Sequence, residues 1–122
     1  MRRLLFLVVA IMLGGCGLLG CETSVLATKQ NPKGPQFAVT FTRNCGDSTG
    51  FTTHVSLLTT DSVGYRSVGN VFIASGGSPS APGVEVEWRS ARQLVVYYSS
   101  RLSTVKRLDQ VDRIEVKYLE RP

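Results

Sequence analysis

A chain of 122 residues whose first 20 carry a targeting pattern leaves about 102 to fold, enough for one domain and too few for a multi-domain enzyme. With 43% apolar residues, 19% charged residues, 12 Gly and 5 Pro, it has the composition of an ordinary globular domain, which excludes disordered, collagenous and polytopic membrane classes. The formal charge of +5 includes Arg2 and Arg3 of the leader, and the remaining Lys and Arg are scattered with no run able to track a phosphate backbone, so no nucleic-acid partner is expected.

Met1-Arg2-Arg3 supplies a positive flank, and Leu4 to Leu13 is an unbroken apolar run followed by small residues, the layout of a secretory signal. Two sites then resemble the lipobox of bacterial lipoproteins, Leu13-Gly14-Gly15-Cys16 and Leu18-Leu19-Gly20-Cys21. Each sets a small residue before a cysteine whose thiol can accept a diacylglycerol. The expected lipidation site is Cys16, with Cys21 as the alternative. A competing reading keeps Leu4 to Cys21 as an uncleaved anchor, but at about 1.5 Å per residue it spans only about 27 Å, and its glycines weaken it as a helix. Simple secretion is the third possibility. All three put the exported domain, residues 21–122, outside the cytoplasm, and the first two tether it to a membrane at the cell envelope.

The three cysteines are Cys16, Cys21 and Cys45, an odd count that leaves one over unless a lipid uses it. Val25-Leu26-Ala27 and Phe37 to Phe41 are strand-like, and Asn31-Pro32-Lys33-Gly34 between them is turn chemistry. A hairpin closed there pairs residues whose numbers sum to about 65 or 66, and a sum of 66 sets Cys21 opposite Cys45 within reach of a disulfide. The other possibility is a lipid on Cys21 and a buried free thiol at Cys45.

Apolar residues alternate at period two through Thr23–Thr28, Gln36–Arg43, Thr52–Thr59, Asn70–Ala74, Val84–Arg89, Gln93–Tyr98 and Arg113–Tyr118, which predicts about seven strands. The fold class is therefore all-β, a small antiparallel sandwich or open barrel. Leu94 to Tyr98 is apolar on both faces and is expected to be a central strand. Gly76 to Gly83 is the longest connection. Residues 99–112 read as an extended crossing with a turn, or as a short helix around Val105 to Leu108.

Gly46-Asp47-Ser48-Thr49-Gly50 looks superficially like the nucleophile string of trypsin-like proteases, but His54 is the chain's one histidine and no third triad member stands out. Ser48 or Cys45 with His54 is thus the hydrolase alternative, against a plain polar turn. One histidine and no closely spaced ligand cluster give no ground for a metal, and no glycine-rich loop precedes a helix to cradle a phosphate-bearing cofactor. Trp88, Tyr97 and Tyr98 read first as cross-strand packing, with the lining of a carbohydrate or peptide groove as the alternative, and Arg43 as an exposed or edge-paired cation.

The string Arg43-Asn44-Cys45-Gly46-Asp47-Ser48-Thr49-Gly50-Phe51-Thr52-Thr53-His54-Val55-Ser56, with Gly69-Asn70-Val71-Phe72 and Val86-Glu87-Trp88 further on, resembles a family of uncharacterised small bacterial exported or membrane-anchored domains. Members have Cys-Gly-Ala-Thr-Thr-Gly-Phe, so Asp47 and Ser48 stand where Ala and Thr are usual. The resemblance implies an earlier cysteine at the position of Cys21, in favour of its pairing with Cys45, and implies no activity or cofactor. The expected function is a lipid-anchored binding or structural module outside the cytoplasm. Its partner is a protein or cell-envelope ligand, and Asp47, Ser48, Thr49 and Phe51 form the candidate binding loop. Inhibition of a secreted hydrolase, through that loop or Gly76 to Gly83, is the other non-catalytic reading.

Overall fold

The computed structural model describes residues 21–46, 50–60 and 68–122. The expectations for Cys16, Asp47, Ser48 and Thr49 lie outside the described residues. Nine strands are found among those described: β1 (Glu22–Gln30), β2 (Phe37–Asn44), β3 (Phe51–Leu58), β4 (Phe72–Ser75), β5 (Val84–Ser90), β6 (Gln93–Ser99), β7 (Ser103–Arg107), β8 (Gln110–Val111) and β9 (Ile114–Arg121). They form two sheets, β1-β2-β3-β4-β7 and β5-β6-β9-β8, packed as a sandwich.

The all-β expectation holds, and two details are corrected. The two strands beyond the expected seven, β7 and β8, occupy the segment where a turn or short helix stood open. The second sheet is mixed rather than antiparallel, because β6 and β9 run parallel from Gln93↔Glu115 to Ser99↔Arg121. After β6 the chain crosses to the first sheet as β7 and returns as β8, so it enters β9 from the end at which β6 began. The turn into β9 holds Asp112 (φ 48°) and Arg113 (φ 69°) in the left-handed region.

The core lies between the sheets. Ala38, Val55, Leu57, Phe72 and Ala74 face Val86, Leu94, Val96, Ile114 and Val116, with Trp88 and Tyr98 packed at the margin. Val86, with Glu85 and Glu87 outside it, and Val116, with Glu115 and Lys117, are the dry-in, wet-out alternation written in the sequence. As expected, β6 is internal to its sheet, with Leu94, Val95 and Val96 all buried.

In β2 the more apolar face is not the one that meets the second sheet. Ala38, Thr40 and Thr42 share the inner side with Val55 and Leu57, whereas Val39 and Phe41 are buried on the opposite face beside His54 and Ser56. Strand β4 starts at Phe72 and not at Asn70, since the Asn70 side chain replaces the ladder: its Oδ1 accepts from the Leu57 N–H at 2.8 Å and its Nδ2 donates to the Leu57 carbonyl at 3.0 Å.

The β1–β2 hairpin explains the disulfide. Near the turn, paired numbers sum to 67 (Gln30↔Phe37 to Ala27↔Thr40), and beyond a bulge at Leu26 they sum to 66 (Val25↔Phe41 to Glu22↔Asn44). Without the bulge Cys21 would face Gly46; with it Cys21 is bonded to Cys45, their Cα atoms 4.1 Å apart. The turn itself is held by the Lys33 N–H donating to Asn31 Oδ1 and the Asn31 N–H to the Gln36 carbonyl.

Candidate functional site

Strands β1 and β5 are the edges of their sheets and lie on the same side of the sandwich. At one end they are stapled. Lys29 Nζ donates to the Val86 carbonyl (2.7 Å), the Trp88 indole N–H to the Lys29 carbonyl (2.8 Å), and Asn31 Nδ2 to the Ala91 carbonyl (2.8 Å). Towards the Gly83 end of β5, opposite Leu26 and Ala27, the edges part. They leave a groove of about 830 Å³, within the usual range of ligand pockets.

Leu26, Ala27, Val84, Val86 and Tyr98 supply the apolar lining. The rim carries Lys29, Arg101 and Arg121 against Glu85, a basic balance. Arg121 is already engaged, with Nη1 3.0 Å from Glu85 Oε1 and its guanidinium 3.9 Å above the Tyr97 ring. Lys29 is therefore committed only to a backbone carbonyl, and Arg101 Nε only to Ser99 Oγ at 3.1 Å. Thr40 lies at the floor, 2% exposed, and its Oγ1 has no hydrogen-bond partner among the described residues. A buried hydroxyl left unpaired costs about 1–3 kcal/mol, so this position is disfavoured in the empty fold.

Of the sequence-derived candidates, Pro82 and Gly83 of the Gly76 to Gly83 loop and the pair Tyr97 and Tyr98 line this groove, and the others fall elsewhere. Cys45 is in the disulfide, so the structure holds no thiol at that position to pair with His54. His54 is 3% exposed and stacked on Phe41 with ring centroids 4.9 Å apart. Its Nδ1 accepts the Gly69 N–H at 2.9 Å, which assigns the proton to Nε2, 2.8 Å from Thr52 Oγ1. Burial, helped by the charge of Arg43, lowers its pKa from 6.5 to about 4, so the ring is neutral near pH 7. With both nitrogens engaged, the geometry is that of a structural imidazole. Phe51 opens β3, half-buried, while its companions in the expected binding loop lie outside the described residues. The other expected loop, Gly76 to Gly83, closes on itself through paired backbone hydrogen bonds between Ser78 and Ala81.

Among the described residues, no group of three or more His, Cys, Asp or Glu is placed to hold a metal ion, and no helix is long and apolar enough to cross a membrane. The sequence pointed to Tyr97 and Tyr98 as possible groove residues but not to β1, whose bulge at Leu26 sits inside an apolar run that shows no break in period. No family model, curated sequence or solved structure matches the chain.

Proposed function

We propose that this chain is a binding module held outside the cytoplasm by a lipid on Cys16, with the β1–β5 groove as its ligand site. The observation that carries the binding reading is Thr40, a buried hydroxyl without a partner on the floor of an open, half-apolar groove. Such a group is costly in the free protein and gains a partner when a polar ligand atom arrives.

The anchoring reading is supported by the sulfurs. Cys21 and Cys45 are bonded to each other, so Cys16 is the cysteine left to accept a thioether-linked lipid, and a disulfide fits an oxidising compartment. The resemblance of residues 43–58 to exported domains agrees. Catalysis through Cys45 or Ser48 with His54 is disfavoured, because the first has lost its thiol and the last has both ring nitrogens in use.

Two experiments test the two halves. Labelled palmitate should enter wild type and Cys21→Ser but not Cys16→Ser; the reverse pattern moves the anchor to Cys21. For the groove, the full chain in detergent is screened by thermal shift against peptides, fatty acids and cell-wall saccharides. Ala27→Trp, which fills the groove, should lose a shift that wild type shows. A ligand that shifts both alike binds elsewhere and refutes the assignment, as would turnover of an ester that needs Ser48 and His54.

A further inference from the structure

We infer that the groove accepts an extended, acidic peptide, added as a strand along the free edge of β5. The inference rests on the binding reading above and names its ligand.

The Ser99 N–H donates to the Gly83 carbonyl at 2.8 Å, so Gly83 and Ser99, one step beyond Val84↔Tyr98, stand at a hydrogen-bonded position of the β5–β6 ladder. Antiparallel pairing alternates, so Val84 and Val86, opposite Tyr98 and Val96, turn their N–H and C=O groups away from β6. The Val86 carbonyl confirms this, since it accepts Lys29 Nζ from across the groove. The groove wall is therefore a row of main-chain donors and acceptors at two-residue spacing, the template used in strand addition. A lipid headgroup or a sugar offers no matching row; an extended peptide does.

Lys29 occupies the place of the incoming donor. Its ammonium sits on a carbonyl that a peptide N–H would otherwise take, on a flexible stem that can swing aside. Once displaced, it and Arg101 are two cations flanking the bound strand, while Arg121 stays paired with Glu85. That charge balance selects carboxylate side chains. The peptide's inward side chains meet Leu26, Ala27 and Tyr98, with the Thr40 hydroxyl at the floor to be satisfied. The stapled seam at Trp88 and Asn31 limits how far the added strand can run.

Trp88, the chain's one tryptophan, donates its indole N–H to the Lys29 carbonyl and so reports on this seam by fluorescence. The full chain in detergent is titrated with a terminally blocked peptide of alternating threonine and glutamate. Its lysine counterpart and two forms N-methylated at alternate residues, one in each register, serve as comparisons. The acidic peptide should shift Trp88 emission, the lysine peptide should bind about tenfold or more weakly, and methylation should abolish binding in one register and spare it in the other. Val84→Pro, which removes an outward N–H, and the surface change Arg101→Glu should each weaken binding about tenfold. Equal binding of both methylated registers, or of the acidic and basic peptides, overturns the proposal. A response to the anionic aromatic dye anilinonaphthalene sulfonate at Trp88, with none to any peptide, refutes the peptide and keeps the groove as a binding site. Silence to all of them refutes both. Self-association in sedimentation without peptide would make a second copy the occupant and overturn this one.

Discussion

His54 and Thr40 lie on adjacent strands of one sheet, are almost equally buried, and point to opposite faces, yet their environments differ in kind. His54 has an aromatic partner, a backbone donor on one nitrogen and a hydroxyl on the other. The Thr40 hydroxyl has nothing. Polar satisfaction, more than residue type, separates the two: the residue that looks catalytic in the sequence is part of the scaffold, and the one that looks inert marks the open groove.

The largest expected effect comes from the scaffold side. His54→Ala removes the stack on Phe41 and orphans the Gly69 N–H, so chemical denaturation should show a loss of about 3–4 kcal/mol. A loss under about 1 kcal/mol would erase the contrast with Thr40. Next is the staple that closes the β1–β2 hairpin over a separation of 24 residues. Replacing Cys21 and Cys45 together by serine should cost about 3 kcal/mol in the same measurement.

Acid offers a third lever of similar size. His54 has a folded pKa of about 4 against 6.5 for the free side chain, so between those values the unfolded chain binds a proton that the folded one refuses. Its contribution is complete above pH 6.5 and drains away as pH falls towards 4, by about 3 kcal/mol, and His54→Phe should remove that part of the slope in a pH series of unfolding curves. The smallest effect has the opposite sign. Thr40→Val keeps the shape, deletes the unpaired hydroxyl and should stabilise the fold by about 1 kcal/mol while weakening ligand binding. A destabilised Val variant would mean that the hydroxyl is satisfied in the free protein.

What could be read beforehand follows from the range of the interactions involved. The alternation in Val84 to Arg89 and Ile114 to Tyr118 is local, and it located β5 and β9 well. The Asn31–Gly34 turn gave a register good enough to bring the two cysteines together, but it missed the bulge, which divides one register into two within a single strand. Ser103 to Arg107 is largely polar and exposed, so β7 left little apolar period to detect. The parallel pairing of β6 with β9 joins segments that no local pattern links. Thr40 alternates with Val39 and Phe41, a pattern that gives no sign of its burial; both faces of β2 are buried, and only the packing shows that its hydroxyl, like Arg43 Nε, lacks a partner among the described residues.

The place of β9 has a consequence for how the chain reaches its final form. Strands β1 to β4 join neighbours in order and can assemble as they emerge, N-terminus first, from a ribosome or a membrane pore. The second sheet cannot, because its interior position between β6 and β8 is filled by residues 114–121, which are delivered after β1 to β8. Until they arrive, one flank of β6 stays unpaired, and any truncation before Ile114 would leave it permanently open to aggregation.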